Sequence, residues 1–170
     1  MGNILLGNYP YDKNGTKKPL EWKAIKETDK GTILITKDVI DHLSINNQDG
    51  EWAWETCSLK TWLHETFFTQ AFSEEEKLKI KEIFILDNQQ IYEYLPTMED
   101  RLAEPTEYAV KRGVMRYDGN RKAMWWVRSY GIGNLKTHAT FVSYDGFFFN
   151  VGRRANAKKY GVRVAILLEK

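Results

Sequence analysis

Apolar positions recur along this chain with two different spacings, and the changes between them divide it into three stretches. Leu20-Glu21-Trp22-Lys23-Ala24-Ile25 alternates with period two, the pattern of a half-buried strand. The turn Asp29-Lys30-Gly31 and the β-rich Thr32-Ile33-Leu34-Ile35-Thr36 complete a predicted hairpin, and residues 4–6 predict a short strand ahead of it. From residue 58 the spacing becomes helical. Leu59, Trp62, Leu63 and Phe67 share one face, with Ser58 placed to cap the helix. Ser73-Glu74-Glu75-Glu76 has the capping-box pattern, in which Ser73 and Glu76 satisfy each other's free backbone donors; its helix is expected to end near Lys81, before a strand Ile83-Phe84-Ile85-Leu86. Asp87 with Gln90 repeats the box, Thr97 with Asp100 does so more weakly, and residues 104–112 predict a helix with Pro105 in its first turn and Gly113 as its stop.

The last third returns to strands, over residues 124–128, 137–144, 147–151 and 161–168. Strands outside and helices between, without strict alternation, predict an α+β fold in one domain spanning residues 1–170. Trp125 and Trp126 are adjacent, so a strand points them to opposite faces; one belongs to the core, and the other packs under a loop or faces a ligand. Asp145-Gly146 is the strongest hairpin turn in the chain. A two-residue turn pairs Tyr144 with Phe147 and Val142 with Phe149, whereas a three-residue turn with a bulge joins Val142 to Phe148. Because a slip of one residue exchanges the two faces, the pattern leaves open which of Phe147, Phe148 and Phe149 is buried.

Composition adds a surplus of rings. Six Trp, nine Tyr and eight Phe are ample for a core, and those that do not fit inside it are displayed. Twenty-five basic against twenty-three acidic residues leave a net charge of +2, without the concentrated basic patch that nucleic acid would require. Arg121-Lys122, and Arg153-Arg154 with Lys158-Lys159, are modest clusters that read as solvated faces. Cys57 is the sole cysteine, the first residues carry no basic leader, and no apolar stretch has the length of a membrane span, so the expectation is a cytoplasmic protein in a reducing compartment, with neither membrane nor nucleic-acid partners; export by a non-signal route or within a phage particle would leave the same sequence.

The candidate reaction centres do not hold together. Cys57 as nucleophile with His64 as base requires hydrogen-bond contact, yet the two are separated by about 9–10 Å of helical rise, and a buried structural cysteine is the better reading. His42, His64 and His138 fall in no metal-ligand spacing, so neither a metal nor a cofactor is expected. Asn47-Gln48-Asp49-Gly50-Glu51 is shaped like a calcium loop, but an EF-hand frame puts Ile45 and Thr56 where oxygen ligands belong. Gly131-Ile132-Gly133-Asn134 lacks the third glycine and following helix of a dinucleotide site.

Six motifs in order carry a resemblance over nearly the whole chain: Gly7-Asn8-Tyr9-Pro10 with Leu20-Glu21-Trp22; residues 58–63 through 71–76; Pro105-Thr106-Glu107-Tyr108-Ala109; Trp125-Trp126-Val127-Arg128-Ser129; residues 142–146; and Gly161-Val162-Arg163. Together they resemble a bacterial and phage-associated domain family of unknown function, similar to an outlying branch of the C-type-lectin-like fold whose wider relatives include formylglycine-generating enzymes and retroelement-diversified receptors. Val164 departs from the proline common after the Gly-x-Arg of relatives. The resemblance implies a twisted antiparallel sheet whose C-terminal strands and loops carry recognition. It implies no activity, because function lives in a site and not in a fold; the cysteine chemistry of the formylglycine-generating branch has no cysteine here to run on.

The expectation is therefore a non-enzymatic recognition module for a protein or glycan ligand. Its candidate binding residues are Tyr130, Asn134, Tyr144, Phe147, Phe149, Asn150, Arg153, Arg154 and Asn156, and its structural residues are Trp62, Trp125, Trp126, Arg128 and Arg163. An enzyme with a site assembled from dispersed polar residues, and a structural subunit of a phage-like or secreted assembly, are the alternatives. The sequence does not set the oligomeric state.

Overall fold

The computed structural model describes residues 3–117 and 120–170. In chain order its strands and helices are β1 (Ile4–Pro10), β2 (Lys17–Thr28), β3 (Gly31–Thr36), β4 (Asp41–His42), α1 (Ser58–Thr61), a π-helical turn (Trp62–Phe67), α2 (Phe68–Ala71), α3 (Glu74–Lys79), β5 (Ile80–Phe84), α4 (Asn88–Tyr94), α5 (Glu107–Arg112), β6 (Arg116–Tyr117), β7 (Asn120–Ala123), β8 (Trp125–Gly131), β9 (Leu135–Val142), β10 (Phe148–Arg154), β11 (Gly161–Val162) and β12 (Ala165–Leu168). The fold is α+β. Among the described residues, two five-stranded sheets run in the orders β1-β2-β3-β12-β5 and β10-β9-β8-β11-β4, and β6 pairs with β7. Every pairing in the first large sheet is antiparallel; the second contains one parallel pair, β8 with β11.

Local signals placed most elements. All three predicted capping pairs form: Ser73 Oγ accepts from the Glu76 N–H while Glu76 returns a bond to the Ser73 N–H, Asp87 and Gln90 do the same, and so do Thr97 and Asp100. Each satisfies two backbone donors that the first helical turn would otherwise leave free. Three boundaries differ from the sequence expectation. The helix predicted from residue 104 starts at Glu107, because Thr106 caps it through the Ala109 N–H, while Pro105 stays extended and bridges Val39. Ser58 is not a cap; the loop supplies the bonds, Asn46 Oδ1 accepting from the Ser58 N–H at 3.2 Å and Ser58 Oγ from the Asn47 N–H at 2.9 Å. The strand expected at residues 83–86 begins at Ile80, where α3 has already ended.

The largest difference lies at the C-terminus. Residues 161–168, expected as one strand, belong to both large sheets: β11 joins β8 and β4, whereas β12 joins β3 and β5. Arg163 and Val164 make the crossing. The Val164 N–H donates to Thr36 Oγ1 and its carbonyl accepts from the Thr36 N–H, so the ladder resumes on the other sheet. Arg163 is 1% exposed; its Nε donates to the Thr36 carbonyl at 2.9 Å, and its guanidinium lies 4.8 Å from the centre of the Trp125 ring. Burial pushes its pKa down to about 10, so it is still charged at neutral pH.

Because the second sheet is covered on both faces, both adjacent tryptophans are buried. Trp125 packs with Val127, Val142 and Phe148 on one side; Trp126 packs with Phe141 and Tyr160 on the other. The β9–β10 hairpin takes the three-residue turn. Val142 pairs with Phe148, the Ser143 N–H donates to the Phe147 carbonyl at 2.8 Å, and the Gly146 N–H donates to the Ser143 carbonyl at 2.9 Å. Glycine is required at the bulge, since Gly146 has φ +86° and a Cβ there would stand 2.0 Å from the Met98 carbonyl oxygen. This register buries Phe148, leaves Phe149 half-buried against Phe141, and exposes Phe147.

Beside β4, Asp41 is buried and accepts from the Tyr9 hydroxyl at 2.5 Å and from Arg112 Nε at 3.0 Å. Burial, and then the Asp41 charge, push the Tyr9 hydroxyl well above its usual range, so it stays protonated and donates. The adjacent His42 accepts at Nε2 from the Lys159 N–H at 3.3 Å, which requires a lone pair on that nitrogen. Burial lowers the His42 pKa, against the opposing pull of Asp41. A depressed histidine stabilises the fold above its unfolded pKa of about 6.5, and that contribution is lost as pH falls through 6.5 toward the folded value. Thermal melts between neutral and mildly acidic pH should therefore show a larger fall in Tm for the native protein than for His42→Gln. Parallel falls would remove His42 from the account.

Candidate functional site

A broad concavity opens between residues 46–66 and the far end of the β8–β9 hairpin. Its volume is about 880 Å³, within the range of small-molecule sites. One wall is the loop carrying Asn46, Asn47, Gln48, Glu51 and Trp52; the floor is the helix carrying Ser58, Thr61, Trp62 and Thr66; Tyr130 and Lys136 close the other side.

The wall is fastened in place before any ligand arrives. The Tyr130 hydroxyl donates to the Trp52 carbonyl at 2.8 Å, and Trp52 Nε1 donates to the His138 carbonyl at 2.9 Å. The two rings meet edge to face with centroids 4.9 Å apart, and the Trp52 N–H reaches the Lys136 carbonyl. On the outer side Asp49 pairs with Arg154 at 3.0 Å; both are exposed, so this pair adds little stability. The floor owes its shape to the π-helical turn, in which the Phe68 N–H donates to the Leu63 carbonyl five residues back. Such wide turns are rare and are frequently found at functional sites. Here Leu63 and Phe67 fill the core while Trp62 and Thr66 line the cleft.

The chemistry of the walls is mostly uncharged. Glu51 and Lys136, of opposite sign, are the charged side chains among the lining residues. The rest of the polar lining is amide and hydroxyl. Among the described residues, the side chains of Gln48, Thr56 and Thr66 and the indole N–H of Trp62 make no hydrogen bond within the chain. These groups are the unspent donors and acceptors of the cleft.

The residues singled out in the sequence are divided by the structure. Tyr130 lines the cleft, and Arg154 stands behind it through Asp49. The Asn156 carbonyl accepts from Ser44, in the chain just before the cleft loop. Phe147, Phe149 and Arg153 gather elsewhere: Phe147 and Phe149 meet edge to face at 6.3 Å, and the Arg153 guanidinium lies 5.0 Å from the Phe149 ring centre. Tyr144 stacks on Tyr117 at 4.1 Å. Asn134 sits at the β8–β9 turn with φ +60°, and the Asn150 carbonyl accepts from the Ile132 N–H. Of the residues named as structural, Trp62 lines the cleft, Trp125 and Trp126 are buried, Arg128 Nε donates to the Ile85 carbonyl, and Arg163 clamps the sheet crossing. The Arg121 side chain lies outside the described residues.

Trp52, Asn46 and Thr66 were not singled out. A run of two Asn and a Gln in a loop is a signal for polar contact, but residues 47–51 draw attention first as a failed calcium loop. Asp49 faces Arg154, and among the described residues no group of three His, Cys, Asp or Glu is placed to hold a metal. Cys57 is buried, and burial raises its thiol pKa, while His64 is exposed. That is the opposite of an activated thiolate. No helix of the described residues is long and apolar enough to cross a membrane.

Residues 30–97 match the model of a domain of unknown function, DUF6273. The matched stretch runs from the β2–β3 turn to just beyond α4 and contains the loop and floor of the cleft, but not the β8–β9 wall. No curated protein and no solved structure matches the chain.

Proposed function

We propose that this domain is a non-enzymatic recognition module of C-type-lectin-like type, which binds a protein or glycan ligand in the cleft between residues 46–66 and the β8–β9 hairpin. The carrying observation is a preformed cleft whose walls combine two tryptophans and a tyrosine with uncharged hydrogen-bonding groups. Aromatic rings supply contact area, and fixed polar groups set orientation, which is the division of labour in a binding site. Among the described lining residues there is one carboxylate, Glu51, and no histidine or cysteine, so the walls offer neither a paired carboxylate nor a thiol nucleophile with its imidazole base. Strands outside and helices between agree with the lectin-like reading. Arg153 and Arg154 are engaged by Phe149 and Asp49, and no nucleic-acid or membrane partner is proposed.

A fragment library screened by two-dimensional NMR on the labelled protein tests the reading. Perturbations should cluster on Asn46, Asn47, Gln48, Trp62 and Tyr130. Hits confined to the Phe147–Arg153 face, or scattered without a centre, would overturn the cleft as the site.

A further inference from the structure

We infer that the ligand of this cleft is an uncharged oligosaccharide, an inference that rests on the binding-cleft reading above. Three classes of ligand are separated by the chemistry of the walls. An anionic ligand needs concentrated positive charge or an arginine fork, and the cleft offers Lys136 with Glu51 opposing it. A peptide strand needs an unpaired sheet edge for its backbone. Near the cleft these backbone groups are already engaged: β8, which meets β11 only at Trp125, gives its Arg128 N–H to the Leu86 carbonyl, and the Lys136 carbonyl of β9 accepts from the Trp52 N–H. A folded protein partner is held by a central desolvated hot spot, and here most of the lining is hydroxyl and amide, from Asn46, Asn47, Gln48, Thr56, Ser58, Thr61 and Thr66.

A neutral sugar uses what remains. Its hydroxyls both donate and accept, and they lie close together on the ring. An amide presents a carbonyl acceptor and an NH₂ donor side by side, and threonine hydroxyls rotate to serve either role. Gln48, Thr56 and Thr66 hold that capacity unspent. The C–H face of a sugar ring is apolar and slightly positive at its hydrogens, which suits the negative face of an aromatic ring. Trp62 is half-buried: Phe67 and Tyr9 pack on it from the core at 5.3 and 6.4 Å, and the rest of the indole opens into the cleft with its N–H free. A volume of about 880 Å³ gives room for a short chain, not one residue alone.

The test uses the full ¹⁵N-labelled chain and tetrasaccharides of maltose, cellulose, mannan and chitin type, with sialyllactose and a heparin tetrasaccharide as charged probes. The Trp62 indole N–H resonance, identified by its loss in Trp62→Phe, should move saturably with at least one neutral series at millimolar concentration and not with the charged probes. Gln48→Ala with Thr66→Ala, both outside the core, should weaken that binding by about tenfold or more, equivalent to about 1.4 kcal/mol. The inference is overturned if no neutral tetrasaccharide moves the resonance, if charged sugars do so preferentially, or if the double variant binds equally well. Movement by tryptic peptides of casein, with none by sugars, would overturn the sugar while leaving the cleft a binding site. Should the fragment screen also leave the cleft unperturbed, both readings fall.

Discussion

Trp126→Ala should lower the free energy of unfolding by about 3–5 kcal/mol, the loss expected when a buried tryptophan is cut to a methyl group. Trp126 is fully buried between Phe141 and Tyr160, with ring centroids 6.5 and 4.5 Å away. Its Nε1 donates to the Leu43 carbonyl at 2.8 Å, which ties the chain after β4 to the second sheet. Alanine would leave a cavity in the larger core cluster and that carbonyl without its donor. A domain of this size has about 5–15 kcal/mol in all, so the variant should unfold at markedly lower urea. A loss below about 1 kcal/mol would place it among ordinary surface substitutions and contradict the packing described.

Arg163→Ala should be comparably damaging, at roughly 2–5 kcal/mol, but for a different reason. The side chain joins the two sheets at their crossing, donating to the Thr36 carbonyl at 2.9 Å and to the Lys37 carbonyl at 3.4 Å while covering Trp125. Its Nη1 has no hydrogen-bond partner, so part of the cost of burying the charge is uncompensated. Methionine keeps most of the volume and removes the charge, and Arg163→Met should recover about half of the loss seen with alanine. Equal losses for the two variants in urea titrations would show that the bonds to Thr36 and Lys37 matter and the filled volume does not.

What the sequence disclosed and what it withheld divide along the range of the interactions. Ser73 with Glu76 and Asp87 with Gln90 are readable because each box is closed within four residues. The α+β class is readable for the same reason, since each period is local. The partition of residues 161–168 between two sheets is not, because an apolar run reads alike whichever sheet receives it; the crossing is decided by Thr36 and Val164, far apart in sequence. The turn at Asp145-Gly146 offers two registers, and the approach of Gly146 to Met98 is a tertiary fact. The cleft was legible in part. Tyr130, expected in a loop, lies in β8 with partners near residue 50, and Trp62 has the spacing of a core residue. The π-helical turn that carries that tryptophan and Thr66, both of which line the cleft, has no signature in the apolar spacing.

The most direct test of the cleft as the site of recognition is a comparison of affinities in two variants. Thr66→Trp places a bulky ring in the cleft from a half-buried position on its floor, while Phe147→Ser with Arg153→Ala strips the exposed hairpin face. With the tightest fragment or sugar found for the native chain, titration calorimetry should show at least about a tenfold loss for Thr66→Trp and unchanged affinity for the hairpin variant, both retaining the native fold. Loss confined to the hairpin variant would contradict the account.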